Sequence, residues 1–123
     1  MKRGIFTFYN LSLDPDIVKF QEEVVNKFNT GAAFVPLCSR THGEEVIHPD
    51  AVDYGFNQLF VEEEYDTVLL LDVDCIPLNA YALEYTFEQA EKGKLIGNVQ
   101  RGMHLDNDEH NYVAPSAFCL TRQ

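Results

Sequence analysis

The run Val68-Leu69-Leu70-Leu71, inside "YDTVLLLDVDCIPL", leaves no polar side chain to turn toward water on either face of a strand. A strand that is half solvated alternates apolar and polar residues. One that is apolar on both sides sits in the middle of a sheet with layers above and below it. The rest of the chain supplies such layers, because its apolar pattern switches repeatedly between a period of two and a period near 3.6.

Residues 4–9 (GIFTFY) are short, aromatic and β-branched, and read as a buried first strand. Asp14-Pro15 then gives a helix cap followed by a proline at the first helical position. Ile17, Phe20, Val24 and Phe28 follow at spacings of three and four, which predicts that this stripe faces the sheet. Residues 32–38 (AAFVPLC) read as a second strand, placed at an edge or an end by Pro36. A polar loop over 39–48 leads to a second helix with Val52, Phe56, Leu59 and Phe60 on one face. After the third strand, 66–71, Asn79 caps a third helix with Leu83, Phe87 and Ala90 inward, and Gly93 ends it. Residues 95–99 and 112–121 read as two further strands. This order predicts one α/β domain over 1–123, a three-layer α/β/α Rossmann-like sandwich with a mostly parallel sheet.

In such sheets ligands collect at the carboxyl ends of the strands. Tyr9-Asn10, the loop from Ser39 and Asp72-Val73-Asp74 would converge there. Two aspartates separated by one residue in extended backbone point to the same side. They can share one hard cation, magnesium or manganese, whose other positions take phosphate oxygens. The plainer reading is a strand end whose acids face water.

Charge narrows the partners. With 20 acidic and 9 basic residues the formal charge is −11, which argues against nucleic acid and anionic membrane. A nucleoside diphosphate is still admissible if a divalent cation stands between the two sets of negative charge. No apolar stretch approaches the roughly 18 residues that a membrane span needs, and no signal segment is evident. Cys38, Cys75 and Cys119 are isolated and set among apolar residues, so a reducing, cytoplasmic setting is expected.

The stretch "YDTVLLLDVDCIPL", after strand–helix–strand–helix and before a helix, resembles the D-x-D region of GT-A fold nucleotide-sugar glycosyltransferases. The later "YVAPSAFCL" is similar to the strand beneath the donor sugar in those enzymes. The resemblance implies a metal-dependent hexosyltransferase with a nucleoside-diphosphate sugar donor, most often a UDP-sugar, and an acceptor the sequence does not identify. Asp74 would be the principal metal ligand, and Asp72 would contact the metal or the ribose. Val73 would lie against the nucleotide through its backbone. Thr7, Phe8, Tyr9 and Asn10 match where the family holds the base. Arg40 and Asp53 sit where it often adds base, ribose or phosphate contacts.

The family is usually much longer, and the part lacking here carries acceptor contacts. In "HLDNDEHNY" (104–112) Asp108 and His110 are the foremost candidates for a catalytic base or extra ligand, with His104, Asp106 and Glu109 beside them. Arg101 and Ser116 could meet the donor sugar, or cap a strand end and sit satisfied in a strand. Two other functions remain open: a non-catalytic nucleotide-sugar-binding module, and a phosphatase of the haloacid-dehalogenase type, whose first motif also ends a strand in D-x-D. So small a domain leaves the sheet edge poorly covered, which predicts a homo-oligomer.

Overall fold

The computed structural model describes residues 1–10, 12–28, 31–38, 40–41, 44–45, 48–101 and 111–122. Strand β1 (Arg3–Tyr9) leads to helix α1 (Pro15–Phe28) and strand β2 (Ala33–Cys38). A short antiparallel pair, β3 (Arg40–Thr41) and β4 (Glu44–Glu45), lies within the stretch expected to be loop. Helix α2 (His48–Asn57) continues into a π-helical turn, Gln58–Glu62, before strand β5 (Thr67–Leu71). Helix α3 (Ala80–Glu91) and strands β6 (Ile96–Arg101) and β7 (Asn111–Thr121) complete the order.

The main sheet has the strand order β2-β1-β5-β7-β6. Strand β1 pairs in parallel with β2 and β5, while β7 runs antiparallel to both β5 and β6. Four strands therefore share one direction and β7 opposes them, so the sheet is mixed. The all-apolar strand β5 is its middle member, and all five of its residues are buried. Pro36 falls on β2 at the sheet's edge, the place in a sheet where a residue lacking an N–H is tolerated.

Side chains leave β5 alternately to the two faces. On one face Ile5, Leu69, Leu71 and Cys119 pack with Val25 of α1 and with Leu83, Phe87 and Ala90 of α3. On the other, Phe6, Val68 and Leu70 pack with Leu59 and Tyr65, and Val52, Phe56 and Phe60 close over them. Helices thus cover both faces. Among the described residues no helix is long and apolar enough to cross a membrane.

Local signals set the helix ends. The Asp14 carboxylate accepts the Asp16 N–H at 2.9 Å, and Asn79 Oδ1 accepts the Ala82 N–H at 2.8 Å. Past α3, Gly93 takes a φ of +85°, a conformation that side chains disfavour.

The inward face of α1 differs from the expected one. Val18, Gln21 and Val25 are buried, whereas Ile17 and Phe20 are 40% and 56% exposed. One residue is about 100° of helix rotation, so both sets have helical spacing. The polar Gln21 disguised the buried set.

Candidate functional site

Because β1 and β5 are parallel neighbours, their carboxyl ends open on the same edge. Their register ends at Phe6 opposite Leu70, which brings Phe8 alongside the residues that follow Leu71. There Phe8, Leu13, Ile17, Asp72, Val73 and Asp74 line an open cleft of about 430 Å³. Its floor is aromatic and aliphatic, and its acidic side is the turn leaving β5.

That turn is held from beneath. The Cys75 N–H donates to the Asp72 carbonyl at 2.8 Å. From α1, the Gln21 side-chain amide donates to the carbonyls of Asp72 and Cys75, both at 2.7 Å. Gln21 is fully buried, so these bonds are made away from water, where losing them is costly. The Asp72 carbonyl thus accepts two hydrogen bonds from the protein. Asp74 is exposed and Asp72 partly so. Their charge is felt next door: burial, then Asp72, then Asp74 push the Cys75 thiol up from its ordinary value.

Among the described residues no group of three or more His, Cys, Asp or Glu side chains gathers into a metal cage. The cleft offers two carboxylates. This donor set suits magnesium or manganese, which keep several waters and bind through one or two carboxylates plus substrate phosphates. It does not suit an ion that must be enclosed by protein oxygens.

The remaining residues of the sequence reading are distributed unevenly. Phe8, Asp72, Val73 and Asp74 come together on the cleft. Thr7 is fully buried on the same face of β1 as Ile5, and its hydroxyl finds no partner among the described residues. It does not line the cleft. Tyr9 ends β1 opposite Cys38 of β2 and is half-buried. Asn10 organises the chain's exit from β1. Its side chain accepts from the N–H (3.0 Å) and hydroxyl of Ser12, and its carbonyl accepts from the Leu13 N–H at 3.2 Å. Asn10 therefore places Leu13 on the cleft without lining it.

Asp53 is exposed on α2, across the sheet from α1, and does not line the cleft. Arg40 lies in β3 opposite Glu45, Arg101 ends β6 opposite Asn111, and Ser116 lies within β7; their side chains are outside the described residues. His104, Asp106, Asp108, Glu109 and His110 also lie outside them.

Leu13, Ile17 and Gln21 were not picked out as site residues from the sequence, and Ile17 was expected to face the sheet. Gln21 left one signal: a polar residue on the apolar spacing Val18–Gln21–Val25 is a buried amide that needs partners.

No family model, no curated protein and no solved structure matches this chain.

Proposed function

We propose that this chain binds a nucleoside-diphosphate sugar, foremost a UDP-sugar, through a divalent cation at Asp72 and Asp74, and transfers the sugar to an acceptor. One observation carries the reading: the acid pair leaves the buried middle strand directly onto an open cleft shared with Phe8 of the neighbouring parallel strand. Phe8 and Ile17 offer apolar surface for a base, and Val73 offers backbone. Asp74, the more exposed acid, holds the cation, and Asp72 supports it or meets the ribose. Gln21 keeps the two acids in register on one turn.

When bound, the cation neutralises charge developing on the departing diphosphate. Asp72 and Asp74 hold that charge balance at a fixed place, which keeps a diphosphate acceptable to a chain of net charge −11. Asp108 or His110 is proposed as the base that takes the acceptor's proton, with Arg101 and Ser116 toward the donor sugar. Where no acceptor is present, water takes its place and the donor is slowly hydrolysed. A homo-oligomer remains part of the proposal. Leu78 and Tyr81, 81% and 72% exposed, offer apolar surface for a contact between copies.

The test is a thermal-shift panel of nucleoside diphosphates with and without manganese, followed by assay of UDP release from UDP-sugars. UDP with manganese should raise Tm, and Asp74→Ala should abolish the rise. An undiminished shift in that variant would overturn the site. A shift without any UDP release, with or without acceptors, would leave a binding module in place of an enzyme. A shift with only a phosphorylated non-nucleotide would point to a phosphatase.

A further inference from the structure

We infer that the layer between α1 and β1 holds a binding site for a single water molecule, bridging the Thr7 hydroxyl and the Gln21 side-chain oxygen. Among the described residues these are the two buried side-chain oxygens that no protein group answers. Both residues are fully buried, so bulk solvent does not answer them either.

Topology sets the two face to face. Strands β1 and β2 are parallel, so α1 between them runs back along the sheet. Val25 of α1 and Ile5 of β1 belong to one core cluster. One turn from Val25 toward the start of α1, about 6 Å, reaches Gln21. Two residues from Ile5 toward the end of β1, about 6.6 Å, reach Thr7 on the same face. Both steps run in the same direction, which brings Gln21 over Thr7. The strand register agrees. Phe6 pairs with Leu70, so Thr7 comes level with the end of β5, and Gln21 bonds the Asp72 carbonyl just beyond it.

The two oxygens decide the occupant. The Gln21 amide is not free to turn round, because the Asp72 and Cys75 carbonyls both take their hydrogen bonds from its nitrogen. Its oxygen can only accept, so its partner must donate. The Thr7 hydroxyl could donate or accept, yet no direct hydrogen bond joins the pair. Water donates to the Gln21 oxygen and shares a second hydrogen bond with the hydroxyl, which meets the minimum of about two polar partners. An apolar group would leave both oxygens unpaired, which is costly. A magnesium or calcium ion takes about six or more oxygen ligands, and the surrounding Ile5, Val25 and Leu71 supply no side-chain oxygen. Through this water, β1 gains a hold on the acid turn by way of Gln21. The site stands whether or not Asp72 and Asp74 hold a diphosphate.

The test uses the whole chain without metal or nucleotide. A high-resolution crystal structure should show an electron-density peak within about 2.7–3.2 Å of both Thr7 Oγ1 and Gln21 Oε1. Magnetic relaxation dispersion of the water oxygen counts long-lived internal waters in solution. That count should fall by one in Thr7→Val and stay unchanged in Thr7→Ser, which keeps the hydroxyl. The urea midpoint of Thr7→Val should fall, because the water and the Gln21 oxygen lose a partner. A hydroxyl that truly stood alone would give the opposite sign, since replacing it by a methyl group removes a buried orphan. No density peak, a direct Thr7–Gln21 bond, an unchanged count in Thr7→Val or a raised midpoint would each overturn the site. Should Thr7→Val not fold, the density in the unaltered chain decides.

Discussion

Gln21 and Asp72 are 51 residues apart in sequence, yet a 2.7 Å hydrogen bond from the Gln21 amide to the Asp72 carbonyl ties α1 to the acid turn. A second bond of the same length reaches Cys75, so one buried side chain sets both ends of the turn. Gln21→Leu keeps the packing volume and removes both donors. It should cost about 1–3 kcal/mol, the penalty of leaving buried carbonyl groups unpaired. Urea unfolding gives that number. Amide exchange at Cys75 should accelerate more than exchange in β5.

Asp74→Asn should leave stability within about 0.5 kcal/mol, since the side chain is exposed. It should nevertheless change its neighbour. The Asp74 charge helps to hold the Cys75 thiol above its ordinary value, so removing it lets the thiolate form at lower pH. In a Cys38→Ser background, the pH profile of thiol labelling should move to lower pH. Cys119, buried and with its thiol pushed up to about 12, should stay unlabelled until the chain unfolds. A cation bound at the turn should shift the Cys75 profile the same way, so manganese titration followed by labelling checks the cleft without any nucleotide.

Acid should loosen the far end of the sheet. The Asp66 carboxylate accepts the Lys2 N–H at 2.7 Å and faces Arg122 at 3.6 Å. The backbone bond first, and then Arg122, hold its carboxyl below the ordinary carboxylate range. A group whose folded pKa is depressed contributes its stability above the unfolded value, about 4, and loses it as pH falls through the folded one. Asp66→Asn should therefore flatten the acid limb of stability below about pH 4. Urea midpoints measured across the acid range decide it.

Gly55 lies on α2 against the Phe6 ring, and a Cβ there would meet Phe6 Cδ2 and Cζ at 2.7 Å and overlap Cε2. Phe6 is fully buried and packs edge-on against Phe56, ring centroids 5.1 Å apart, so it cannot yield. Gly55→Ala should destabilise by about 1–3 kcal/mol despite alanine's better helix propensity. Thermal unfolding measures the sign, and a gain in Tm would contradict the packing described.

The layered α/β plan was legible in the residues because local rules carry it. Asp14 and Asn79 cap helices through bonds to residues two and three positions on. The apolar run of β5 demanded cover on both faces, and Pro36 pointed to an edge or a strand end, of which the edge is found. Asp72 and Asp74 were legible as a pair because their spacing and their place after β5 are sequence properties.

What only the tertiary structure decided are the relationships that join distant residues. Which stripe of α1 turns inward depended on the sheet it meets, since Ile17 and Val18 belong to equally regular helical spacings. That choice sent Ile17 to the cleft and Gln21 into the core. Thr7 is enclosed and does not line the cleft, because strand alternation sets it on the same face as Ile5. The direction of β7 likewise depends on pairing between elements far apart in the chain. Propensity and periodicity act over a few residues and so are written locally. Burial and enclosure are properties of surfaces brought together, and they exist only once the chain has folded.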